Sequence, residues 1–83
     1  LINDYFPKSK LNKEVLKIAK KIASKSNLTI KIGKQTFYRQ LEMPLRKAYA
    51  HTSKMMTINM MAIDAKEGIS AFIEKRKPVW KNR

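Results

Sequence analysis

Phe72 and Lys75 carry the clearest chemical possibility in this sequence. Three residues apart on a helix, an aromatic face and an ammonium can serve one ligand. An adenine can stack on such a ring while the ammonium meets a phosphate. On residue type alone, the plainer reading puts Phe72 in a core and Lys75 in solvent. The other candidates reduce to structure. His51 is the only histidine and lacks Cys, Asp or Glu neighbours at metal spacing, so it reads as a solvated or satisfied helix residue. Asp64 and Glu67 could pose as a carboxylate pair for acid–base work. Their place at a helix start accounts for them as an N-cap and its capping-box partner. Glu42 and Arg46 form an ordinary i,i+4 pair. There is no phosphate loop, dinucleotide glycine pattern or nucleophile elbow. No residue is therefore assigned a catalytic or metal-binding role.

The elements that must position the Phe72–Lys75 pair read as helices. Residues 64–80 open with Asp64 and place Ile69, Phe72 and Ile73 on one face at i, i+3, i+4. Lys75, Arg76 and Lys77 are expected in the last turn, opposite the negative end of the helix dipole, with Pro78 as the stop. Val79 and Trp80 make an apolar end. Upstream, residues 1–10 are an extended lead-in with Leu1, Ile2, Tyr5 and Phe6 before Pro7. Residues 11–25 form a helix, with Leu11, Val15, Ile18, Ala19 and Ile22 in one stripe and Ser9 or Asn12 as its cap. Its other face holds Lys13, Lys17, Lys20, Lys21 and Lys25. Their like-charge i,i+4 pairs are each unfavourable by about 0.2–0.5 kcal/mol, so this helix depends on docking its stripe.

Ser26-Asn27 marks a break and an N-cap. Residues 29–32, Thr-Ile-Lys-Ile, alternate like a strand, while Ile30, Gly33, Phe37 and Leu41 keep helical spacing. A lone four-residue strand has no obvious partner here, and the residues themselves leave strand and helix both open over 29–33. In a helix, Gly33 implies close approach by another element. A longer helix over 43–62 follows, with Pro44 near its first turn and Leu45, Ala48, Tyr49, Thr52, Met55, Met56 and Asn59 inward. The chain's five methionines suggest adaptable packing or an interface.

Composition bounds the rest. At 83 residues the chain is one small domain at most, and such a domain is marginal alone. Hydrophobic residues make up 43%, too many for a disordered tail. No apolar run is long enough to span a membrane, and no signal peptide is recognisable. The opening Leu1 leads us to expect a piece of something longer. Cysteine is absent, which excludes disulfides and thiolate metal sites. The net charge of +13 comes from 15 Lys and 4 Arg against 6 acidic residues, and would attract polyanions in general.

The wording of residues 64–80, Asp-Ala-Lys-Glu-Gly-Ile-Ser-Ala-Phe-Ile-Glu-Lys-Arg-Lys-Pro-Val-Trp, resembles the carboxyl-terminal signature of the enoyl-CoA hydratase/isomerase (crotonase) superfamily. That signature runs E-G-hydrophobic-x-A-F-hydrophobic-E-K-R-x-P. The resemblance is fair over 11–41, weak over 42–60, and extends to the Leu1-Ile2-Asn3 lead-in, which looks like the family's strand-to-helix junction. It implies an all-α carboxyl-terminal segment of three to four helices, with residues 26–41 helical and residues 1–83 as a single unit, that helps form homo-oligomers (trimers or hexamers) and lids an acyl-CoA pocket. It further implies that Phe72 and Lys75 lie near the adenosine-phosphate end of coenzyme A, often from a neighbouring subunit, and that no other cofactor is required. The family's oxyanion hole and carboxylates lie upstream, so a lyase or isomerase in fatty-acid metabolism is implied for the parent protein, in cytoplasm or mitochondrial matrix. No turnover is expected of these 83 residues alone. The competing class is a basic helical module for nucleic acid or anionic membrane. The charge supports it and the dispersal of the lysines counts against it, nucleic acid especially.

Overall fold

The computed structural model describes all 83 residues and contains four helices and no strand. They are α1 (Lys8–Ala23), α2 (Asn27–Gln40), α3 (Leu45–Met60) and α4 (Ile63–Ile73). The all-α expectation holds, including the ambiguous segment 29–33, which lies inside α2. Local β-branched alternation loses there to one local contact and one tertiary contact. Ser26 caps the helix, its hydroxyl accepting the Thr29 N–H at 3.5 Å, and α2 docks along α3, where the Thr29 hydroxyl donates to Asn59 Oδ1 at 3.1 Å.

The remaining boundaries follow from proline and backbone geometry. Pro7 and Pro44 are the N-caps of α1 and α3, with ψ of 144° and 146°, and neither helix has a side-chain cap. Proline's fixed φ launches each helix. The Ser9 or Asn12 cap is thus corrected, since both residues lie inside α1, which begins at Lys8 rather than residue 11. The turn between Leu41 and Pro44 is short, so α2 and α3 fold back as an antiparallel hairpin.

The end of α4 differs from the expected one. The helix stops at Ile73 with Glu74 as its C-cap. Lys75 has φ 54°, in the left-handed region. The Lys75 N–H reaches the Phe72 carbonyl at 3.3 Å and the Arg76 N–H the Ala71 carbonyl at 3.0 Å, the paired bonds of a Schellman motif. Lys75, Arg76 and Lys77 therefore lie beyond the last turn rather than in it, and the motif, not Pro78, ends the helix. A non-glycine residue in this conformation costs about 1–3 kcal/mol and persists only where its surroundings over-determine it.

The chain spreads out instead of closing on a core. Its radius of gyration is 16.1 Å, against about 12 Å for a compact domain of this length. The buried residues are Ser26, Ala48, Asp64 and Ala71, and of the large apolar side chains in the expected inner stripes Val15, Ile22, Leu45, Tyr49 and Met56 are exposed. The stripes exist at the expected spacing but mostly face outward. Two open grooves result. One, of about 610 Å³, lies between Leu1, Ile2 and Phe6 and the α1 stripe at Leu11, Val15 and Ile18. The other, of about 430 Å³, lies on the hairpin between Ile32, Phe37, Met55 and Met56.

The close approach expected at Gly33 occurs at Gly68 instead. A Cβ on Gly33 would meet nothing within 4 Å, so the close approach expected there is absent and Gly33 lines the hairpin groove. A Cβ on Gly68 would stand 3.3 Å from Cη2 of Trp80. Gly68 is the position where the absence of a side chain lets the tail return over α4.

Candidate functional site

The polar architecture of the molecule converges on α4 and the tail behind it. Asp64 is 2% exposed and does not cap α4, whose N-cap is Ala62. Its carboxylate accepts the Ser26 hydroxyl at 2.5 Å, the Lys81 N–H at 2.7 Å and the Asn82 N–H at 2.9 Å. The Asp64 N–H donates to the Arg83 carbonyl at 2.9 Å. The Asn82 side chain accepts the Asn27 N–H at 2.9 Å, and the Trp80 indole N–H donates to the Ser24 carbonyl at 2.9 Å. One carboxylate thus joins the α1–α2 corner, the start of α4 and the tail. Burial pushes the Asp64 carboxyl upward, and the Ser26 hydroxyl with the two tail N–H groups outweighs it, leaving the group below its ordinary value.

A second network stiffens the end of α4. The capping-box role of Glu67 is corrected: its carboxylate receives Arg76 in a two-pronged pair, Nη1 to Oε1 at 2.6 Å and Nη2 to Oε2 at 3.0 Å, together with the Val79 N–H at 2.8 Å. The Arg76 Nε reaches Glu74 Oε2 at 2.8 Å, and Glu74 Oε1 accepts the Ser70 hydroxyl at 2.5 Å. The Arg76 fork, helped by the Val79 N–H, holds the Glu67 carboxyl down to about 2. The Ser70 hydroxyl and then Arg76 lower Glu74, and the two carboxylates raise the Arg76 guanidinium.

Phe72 and Lys75 sit on the turn these networks enclose. Phe72 is 85% exposed, so this chain alone does not bury it. Lys75 is exposed as well. The Lys75 N–H to Phe72 carbonyl bond joins the two residues directly. Neither lines the two apolar grooves, which are on other faces.

His51 is half-buried, and its Nε2 is enclosed without a hydrogen-bond partner, as is the Thr36 hydroxyl. The satisfied or solvated reading of His51 is therefore corrected. No cluster of three or more His, Asp or Glu side chains could hold a metal ion. Sequence reasoning missed Ser26, Arg76 and Trp80 as structural partners. Ser26 and Trp80 meet their partners across 38 and 56 residues, distances over which local pattern carries no signal. The Glu67–Arg76 pair spans nine residues and was obscured by the competing cap reading.

Open apolar faces thus surround a tightly tied carboxyl-terminal end. The family model described as enoyl-CoA hydratase/isomerase matches residues 1–83. The chain belongs to that family. It is 48% identical over 80 residues to the mouse enoyl-CoA hydratase domain-containing protein 3, mitochondrial, covering 96% of this chain and 27% of that protein. The crystal structure of the human enoyl coenzyme A hydratase domain-containing protein 3 superposes with a TM-score of 0.86 at 49% identity, covering 89% of this chain and 29% of that one. An enoyl-CoA hydratase from Mycobacterium smegmatis gives a TM-score of 0.82 at 42% identity, with 87% and 28% covered. The chain thus spans between a quarter and a third of the length of the proteins it matches.

Proposed function

We propose that these residues form the assembly and closing element of an enoyl-CoA hydratase/isomerase-type protein acting on acyl-CoA thioesters in fatty-acid metabolism. In this reading Phe72 and Lys75 contact the adenosine-phosphate end of coenzyme A. The observation that supports it, in a chain of this family, is an 85% exposed Phe72 whose carbonyl accepts the N–H of Lys75, the lysine standing on a left-handed turn with its backbone held by Arg76. An aromatic ring left in solvent is costly unless something covers it, and an adenine over the ring with a phosphate against the ammonium fits both residues. The exposed stripes of α1 and the α2–α3 hairpin support the assembly role, because faces of this apolar content are stable only when covered.

Chemistry is not assigned to these residues. The charge on a thioester enolate has to be met by donors aimed at it, and the Asp64 and Glu67 carboxylates are already taken up by Ser26, the tail and Arg76. The test is calorimetric titration of coenzyme A into the intact protein that carries these residues. Lys75→Ala and Phe72→Ala are each expected to weaken binding by about tenfold, the loss of one charge-assisted contact or one stacked base. Unchanged affinity in both variants would overturn the coenzyme A reading.

A further inference from the structure

We infer that Arg76, held by Glu67 and Glu74, is a positioning residue that keeps Lys75 in its left-handed backbone conformation and so aims the ammonium at the phosphate of a coenzyme A ligand. The inference rests on the coenzyme A reading of Phe72 and Lys75 and adds to it the residues that make the grip rigid.

Lys75 adopts φ 54°, a conformation that glycine or asparagine enters far more readily than lysine. A lysine stays there only when both neighbours are fixed, and here both are. On one side Glu74 is tied to the Ser70 hydroxyl within α4. On the other, the Arg76 N–H is anchored on the Ala71 carbonyl at 3.0 Å. The Arg76 guanidinium then spans back to Glu67 through two bonds and across Lys75 to Glu74 through a third. Glu67 also takes the Val79 N–H at 2.8 Å, so the chain leaving the turn is held by the same carboxylate. Lysine is a flexible point charge, and fixing its Cα direction recovers part of the ordering cost of binding an anion.

The arrangement makes an expectation that simple charge does not. Glu67 and Glu74 are anions close to a site for an anion. If they acted only through their charge, neutralising either would strengthen coenzyme A binding. If they act by holding Arg76, neutralising them weakens it. Likewise Arg76→Lys keeps the positive charge but loses the planar fork that two carboxylates require.

The experiment measures coenzyme A affinity of the intact protein for Glu67→Gln, Glu74→Gln and Arg76→Lys, each alone and combined with Lys75→Ala, with helical circular dichroism as the folding control. All three single variants are expected to weaken binding by about three- to tenfold, and by less than about twofold once Lys75 is alanine, because coupled residues are non-additive. Tighter or unchanged binding in Glu67→Gln and Glu74→Gln would overturn the inference while a weakened Lys75→Ala kept the coenzyme A reading standing. Equal losses with and without the Lys75 ammonium would also overturn it, since a merely structural defect persists in both backgrounds. No effect of Lys75→Ala itself would remove the coenzyme A reading and the inference together. Should Glu67→Gln lose its helical signal, Glu74→Gln, at the more exposed carboxylate, decides the matter.

Discussion

The two ends of this chain hold themselves in place by opposite means. From Ile63 to Arg83 nearly every polar group that matters is committed. Asp64 gathers three donors, Glu67 gathers Arg76 and the Val79 N–H, and Trp80 reaches back to Ser24. From Leu1 to Ala23 there is an amphipathic helix with one weak surface pair, Lys17–Glu14 at 3.9 Å, and an apolar stripe open to solvent. Hydrophobic burial is non-directional, whereas hydrogen bonds to a buried carboxylate fix position. The carboxyl-terminal end thus supplies its own geometry, and α1 depends on whatever covers it.

The largest expected effect breaks the first side of that contrast. Asp64→Ala leaves the Ser26 hydroxyl and the Lys81 and Asn82 N–H groups without their acceptor, and unmade buried bonds are the costly kind. We expect the melting temperature to fall by on the order of 10 °C, with Trp80 emission shifting red as the indole leaves Ser24. Thermal melts followed by fluorescence check this, and an unshifted melt would mean that the tail is held by something else.

Next in size is Gly68→Val. The first added carbon already lies 3.3 Å from the Trp80 ring, so the branched side chain must displace it. Overpacking of this kind costs about 1–3 kcal/mol, measured by denaturant unfolding. The same substitution at Gly33, which has open space around it, should cost less. A reversed order would contradict the placement of the tail.

Acid sharpens the comparison. Glu67 ionises at about 2 in the folded chain, against an ordinary 4.5, because of the Arg76 fork. A depressed carboxyl stabilises the fold fully above the unfolded value and loses that contribution as pH falls through the folded one. Asp64 and Glu74, also depressed, act in the same direction. The tail and the turn at Lys75 should therefore loosen between about pH 4.5 and 2, seen as a change in Trp80 emission. Glu67→Gln should flatten that profile. A transition of the same size in the variant would show that Glu67 plays no part in it.

Most of the helical content of this chain is legible in its residues, the segment 29–33 excepted, and the ties are not. The spacing of Leu11, Val15, Ile18, Ala19 and Ile22 fixes α1, the Ser26-Asn27 break starts α2, and Pro44 starts α3, because each is a local signal. The pairing of Phe72 with Lys75 presumed a helix that runs through both, whereas α4 ends at Ile73 and Lys75 stands in the left-handed turn beyond it. Asp64 misled because a carboxylate near a helix start ordinarily caps it, and its true donors come from Ser26 and from residues 81 and 82. The left-handed turn misled because it carries lysine where glycine would announce it. Outward-facing stripes were unreadable as such, since periodicity gives a face without saying what covers it.

The smallest effect probes the other side of the contrast. Ile18→Ala on the exposed stripe of α1 should change the stability of the isolated chain by less than about 0.5 kcal/mol. In the intact protein the same change should cost more, by unfolding titration of both. Equal costs in the two settings would show that nothing covers α1.

Whether the carboxyl-terminal turn, and not the lysine-rich α1, receives coenzyme A is read most directly from amine-reactive footprinting of the intact protein with and without coenzyme A, followed by mass spectrometry. Lys75 should be protected by the ligand while Lys13, Lys17 and Lys21 keep their labelling. Protection spread along α1, with Lys75 labelled as before, would contradict the coenzyme A reading of this turn.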